Sequence, residues 1–126
     1  MSSELVRRAA AGDFSPEVAA WLAEGMRKHL AGDDLQHSLG LDRASRVRER
    51  NKALQEAAEL LAGDDDPWRC AGRLEAAVKR FEARILPLLL RDPQLPISPV
   101  DKALRRAFDS GLRVPGTARN LYELIR

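Results

Sequence analysis

The side chains most capable of chemistry are few in this chain, and their spacing does not combine them. His29 and His37 lie on either side of Gly32. They match neither H-x-x-x-H nor H-E-x-x-H, the spacings that set two ring nitrogens on one helix face. His29 suits the C-terminal end of a helix, where an imidazolium meets the negative pole of the dipole, and His37 is expected at the surface. The lone cysteine, Cys70, has Arg69 and Arg73 beside it at the start of an expected helix. Those surroundings lower a thiol pKa, but no histidine is placed to act as its base, so Cys70 reads as a small packed side chain. The acidic runs Asp33-Asp34 and Asp64-Asp65-Asp66 lack the spaced donors and closing glutamate of an EF-hand and read as helix N-caps. There is no glycine-rich phosphate loop, no G-x-S-x-G and no pair of zinc-ribbon cysteines. The expectation is a protein that is not an enzyme and carries neither metal nor cofactor.

The segment with the most specific chemical character is cationic. Residues 43–52 hold Arg43, Arg46, Arg48, Arg50 and Lys52 against the single carboxylate of Glu49, with Asn51 among them. They follow Leu35-Gln-His-Ser-Leu-Gly-Leu-Asp42, so a short helix, a glycine turn and an arginine-rich helix start succeed one another, as in a helix-turn-helix. In that motif the second helix offers its first residues to the major groove, where Arg reads guanine and Asn reads adenine. Arg43, Arg46, Arg48, Arg50, Asn51 and Lys52 are therefore the candidate nucleic-acid contacts. Arg43, Arg46 and Arg50 share a stripe that continues as Ala53, Ala57 and Leu60, which suggests an arginine-bearing end projecting past the core. Against this reading, arginine stems also lie over apolar helices, and their heads pair with nearby carboxylates. A second helix pair, 100–110 with 117–126, has four large apolar residues in its last member and reads as packing.

The elements that must position these residues are all helical. Ser15, Pro16 and Glu17 open a helix that runs to about Ala31, with Val18, Trp21, Leu22, Met26 and Leu30 as its inward face and Gly32 as its stop. A weaker helix over 4–11 precedes it. Asp42 caps a helix from Arg43 to Ala62, whose buried stripe is read as Ala44, Val47, Leu54, Ala58 and Leu61. Asp66 and Pro67 begin another, with Trp68, Leu74, Val78, Phe81, Ile85 and Leu88 inward. With so short a loop between them, these two should form a long antiparallel hairpin. Pro87 should kink or end the second. The proline-rich stretch 92–99 reads as a crossing loop, followed by a helix from Ser98 and Pro99 to about Ser110 and a last helix after Thr117. No alternating strand pattern and no internal repeat occurs. The fold class expected is all-α, a compact bundle of five or six helices around that hairpin, in a single domain spanning 1–126.

Composition is consistent with this. A chain of 126 residues buries a core without staples, and 44% hydrophobic residues with only 5% aromatic imply that Ala and Leu fill it. The isolated thiol and the lack of a signal-like or membrane-length apolar run suggest a cytoplasmic protein with no membrane partner. Net charge is only +2, yet the signs are segregated: 53–66 holds five carboxylates and no cation, whereas 67–91 holds six cations and two carboxylates. Such blocks either steer an anionic partner or pair with one another.

Three stretches carry a resemblance: Trp21-Leu-Ala-Glu-Gly-Met-Arg-Lys-His-Leu30, Leu35-Gln-His-Ser-Leu-Gly-Leu-Asp-Arg43 with the helix after it, and Leu112-Arg-Val-Pro-Gly-Thr-Ala-Arg-Asn-Leu-Tyr-Glu-Leu-Ile125. With these the chain resembles small helical proteins encoded in prophages of proteobacteria, a group without an assigned activity. The resemblance implies a phage setting and an accessory or regulatory role, and it brings no site residues. Two functions stay open. One is nucleic-acid binding through 43–52. The other is a protein-interaction or assembly role, as a homodimer or with a phage or host protein, through Trp21, Trp68, Tyr122 or the apolar run 85–90.

Overall fold

Most of the helices start where a short polar side chain turns back on the backbone. Asp34 accepts from the N–H groups of Gln36 and His37, Asp42 from Ser45, Asp66 from Arg69, Ser98 from Asp101 and Thr117 from Asn120, each relieving amides that have no partner inside the helix. Ser15 stands at the same position but caps nothing, because its hydroxyl accepts from Arg8 instead. The computed structural model describes residues 2–126. Its elements are α1 (Ser2–Ala10), α2 (Pro16–Leu30), α3 (Leu35–Ser38), α4 (Arg43–Ala62), α5 (Pro67–Arg80), a π turn (Phe81–Ile85), α6 (Leu86–Arg91), α7 (Pro99–Asp109) and α8 (Ala118–Ile125). Because α5, the π turn and α6 run on without a break and α3 is a single turn, the described residues form an all-α bundle of six helices plus that turn, without strands.

The core lies where α4 meets α7 and where α5 meets α8. Ala53, Leu54, Ala57 and Ala58 of α4 are buried with Ala103, Leu104 and Ala107 of α7, and the alanines let the two backbones approach closely. Leu74, Val78 and Phe81 join Leu121 of α8, and Phe81 meets Phe108 with ring centroids 5.3 Å apart. Complete burial of Leu54, Leu74, Leu104 and Leu121 stabilises the fold by about 1.5–3 kcal/mol each. The expected α4–α5 hairpin is present, since the two helices pack on each other across the loop 63–66, but the broadest packing of α4 is with α7.

Several expectations about inward faces are corrected. On α4 Ala44 is exposed while Ala53 and Ala57 are buried beside Leu54 and Ala58, because α7 covers the C-terminal half of the helix, and Leu88 of α6, expected inward, is exposed. α2 packs on α1 and α3 at the edge of the bundle, so Met26 and Leu30, expected inward, are exposed, Leu30 by 85%. Trp68 is 56% exposed and lies edge-to-face on Tyr122 at 5.6 Å. Pro87 neither ends the helix nor leaves it regular. It has no N–H to give and its ring would strike the carbonyl one turn back, and the chain before it widens so that Leu86 N–H donates to the Phe81 carbonyl, five residues earlier. In an unbroken α-helix Leu89 would sit roughly 80° round from Phe81. The wider turn reduces that offset, and both side chains are buried.

Candidate nucleic-acid interface

The turn before the arginine helix is fixed by Gly40, which has φ +71° and whose missing Cβ leaves room for the Ser2 hydroxyl. α3 is docked on α2: the Trp21 indole donates to the Leu39 carbonyl at 3.2 Å, and Gly25 has no side chain where Leu39 seats. A one-turn element packed on α2 differs from the helix that crosses the recognition helix in a helix-turn-helix, so the likeness ends at the spacing of residues.

Asp42 holds the start of α4. Its carboxylate accepts from the Ser45 hydroxyl at 2.6 Å, and this hydrogen bond, ahead of smaller contributions, keeps its pKa below the usual carboxylate range. Beyond it the six candidate residues divide. Arg46 donates from Nε to the Leu41 carbonyl at 2.6 Å and from Nη1 to the Ser110 carbonyl at 3.5 Å, and a Cβ on Gly111 would come within 3.0 Å of that guanidinium. Arg50 donates from Nη1 to the Arg113 carbonyl at 2.9 Å and from Nε and Nη2 to the side-chain oxygen of Asn51. Arg46 and Arg50 therefore clasp the linker between α7 and α8, with Asn51 holding the Arg50 guanidinium. The sequence suggests an arginine-bearing stripe that projects past the core; instead Arg46 and Arg50 of that stripe close over residues 110–113, and only Arg43 stays exposed.

Arg43, Arg48 and Lys52 stay exposed. Arg48 donates only to the hydroxyl of Ser45, and among the described residues no carboxylate stands within ion-pair distance of the three. Arg48 and Lys52 line an open cleft of about 450 Å³ together with Ser45, Glu49, Glu56 and Arg106. The carboxylates there are already engaged. Glu49 accepts from the backbone and hydroxyl of Ser3, and Glu56 pairs with Arg106. The cations left uncommitted at this surface are thus those of α4.

The remaining candidates are structural. Cys70 is buried, its thiol donates to the Ala58 carbonyl at 3.3 Å, and burial pushes its pKa up. That overcomes the acidifying Arg73 anticipated from the sequence. Asp34 and Asp66 act as caps, and Asp65 pairs with Arg73 at 2.8 Å. His29 Nδ1 lies 2.9 Å from the Asp33 carbonyl, closing α2. Among the described residues no group of His, Cys, Asp and Glu is placed to hold a metal, and no helix is long and apolar enough to cross a membrane. Of the apolar run near Pro87, Leu89 is buried while Leu88 and Leu90 are exposed. Sequence reasoning missed one surface, the outward side of α5, the π turn and α6, although the six cations of 67–91 signalled it. Comparison with protein families, with curated proteins and with solved structures gives no match.

Proposed function

We propose that this chain is a non-enzymatic nucleic-acid-binding protein, an accessory or regulatory factor of prophage origin acting in the cytoplasm, which grips the phosphate backbone. The observation that carries the reading is the sorting of charge on α4, where Arg43, Arg48 and Lys52 are exposed and lack carboxylate partners while neighbouring Glu49 and Glu56 are occupied. Phosphate contacts of this kind position a protein without reading sequence. Fluorescence anisotropy with duplex DNA tests it. Binding should weaken steeply with salt, and an Arg43→Gln/Arg48→Gln/Lys52→Gln variant should flatten the plot of log affinity against log salt by about 2.7, at 0.9 per phosphate contact. No binding at low salt rejects the proposal.

The exposed side of α2 favours a second reading, a protein partner or homodimer. Ala19, Ala23, Met26 and Leu30 are all exposed and follow one another at intervals of four, three and four residues, the spacing at which two helices interlock. Sedimentation equilibrium of the wild type and Leu30→Glu separates the readings, because an association through α2 is insensitive to salt and is lost in the variant.

A further inference from the structure

The long helix built from α5, the π turn and α6 presents one continuous outward face. Arg69, Arg73, Lys79, Arg80, Arg84 and Arg91 are all exposed along it, and they recur near helical spacing while Leu74, Val78, Phe81 and Leu89 turn inward. Between the cations stand Gly72, Ala76 and Ala83, also exposed, so a low floor runs between charged edges. Arg69, Arg73 and Lys79 have carboxylate neighbours in Asp66, Asp65 and Glu75. For Arg80, Arg84 and Arg91 no carboxylate lies within ion-pair distance among the described residues. Of the acids near them, Glu82 borders a separate cleft with Phe108 and Arg113, and the Asp92 carboxylate accepts from the Gln94 backbone N–H.

We propose that this face is a platform for the backbone of double-stranded DNA, a second and longer contact than the one on α4. The inference rests on the nucleic-acid reading above and adds the surface and the form of nucleic acid. From Arg69 to Arg91 the helix extends about 33 Å at 1.5 Å per residue, close to the roughly 34 Å of one duplex turn. Small residues at the centre let a rod of phosphates come close to the helix while arginines flank it. A single strand would call for a row of open aromatic rings on which to stack bases; Phe81 is fully buried, and Trp68, at the N-terminal end of this face, has its ring edge-to-face on Tyr122. The contact is with phosphates, so it is independent of sequence.

The test uses the full chain, a duplex of about 20 base pairs and one of its strands, measured by anisotropy between 50 and 200 mM salt. If the six cations of this face engage, they add about 10³-fold to the loss of duplex affinity over that range, beyond the share due to α4, and in Arg80→Gln/Arg84→Gln/Arg91→Gln that added loss falls to about 40-fold. Ala76→Glu, which sets a carboxylate on the floor at an exposed helical position, weakens binding without removing any cation. Circular dichroism checks that each variant is folded. If both variants bind as the wild type does while the α4 triple variant loses affinity, this inference is overturned and the nucleic-acid reading stands. Tighter binding to the single strand also overturns it, and absence of duplex binding by the wild type overturns both.

Discussion

Within α4, two arginines separated by less than one turn should give opposite phenotypes. Arg46 is half-buried and donates a short, charge-assisted hydrogen bond to the Leu41 carbonyl together with a long one to Ser110. Charge-assisted bonds contribute about 1.5–3 kcal/mol, and partial exposure moves the expectation to the lower half of that range. Arg46→Met keeps the aliphatic stem and removes every donor, so it should cost about 2 kcal/mol, with a fall in Tm of roughly 8 °C for a domain of this size. Arg48 is exposed and touches only the Ser45 hydroxyl, so Arg48→Met should change stability by less than about 0.5 kcal/mol. In DNA binding the order reverses: Arg48→Met should lower the salt slope by about 0.9, and Arg46→Met should leave it unchanged. Urea unfolding with a constant m-value supplies the first measurement and anisotropy the second. The division of the helix is refuted if Arg46→Met unfolds within 0.5 kcal/mol of the wild type, a threshold set by ordinary surface substitutions, and also loses slope.

Two further outcomes follow from one buried group and one part-exposed one. Because Cys70 is buried, donates to Ala58 and has its pKa raised by burial, its reaction with a disulfide reagent at pH 8 should run at least ~10²-fold slower in the native protein than in the urea-unfolded chain; equal rates would contradict its burial. Glu75 accepts from the Lys79 ammonium at 2.8 Å and from the Ala118 backbone N–H, with the lysine contact the larger cause of its lowered pKa. A lowered carboxylate pKa adds stability that is present above the ordinary value near 4.3 and is lost as pH falls through the folded value. The gap between wild type and Glu75→Gln in urea unfolding should therefore be open at pH 6 and close on acidification toward pH 3; a gap that does not change with pH would show that the charge contributes nothing.

What could be read in the sequence was what local chemistry decides. Asp34, Asp42, Asp66 and Ser98 cap helices as expected, because a cap is a bond between residues two or three apart, and Gly32, Gly63 and Gly111 stand where chains leave helices. The fold class followed from the same signals. The inward faces were less legible, because apolar periodicity marks a stripe without saying whether anything covers it: Met26 and Leu30 have the right spacing and face solvent. The candidate site was half legible. Arg46 and Arg48 look alike in sequence, and what separates them is how the chain folds around the first: the Leu41 carbonyl, five residues before it, and the Ser110 carbonyl, 64 residues away, both face Arg46. The basic face of α5 and α6 was visible as charge, but its continuity depends on how the helix passes Pro87.

That passage has a consequence for insertions and deletions. Eight residues separate Phe81 from Leu89, one more than brings a regular helix back to nearly the same side at 100° per residue. The π turn is thus an α-helix that has absorbed a supernumerary residue, and the wide turn is how both ends keep their facing. Loss of one residue between Phe81 and Ile85 would leave seven, and Leu89 would return inward in plain α-helical register, with Pro87 as the remaining obstacle. In most of a buried helix a deletion rotates everything after it out of the core, but here a frame of length variation is built into the middle of the longest helix.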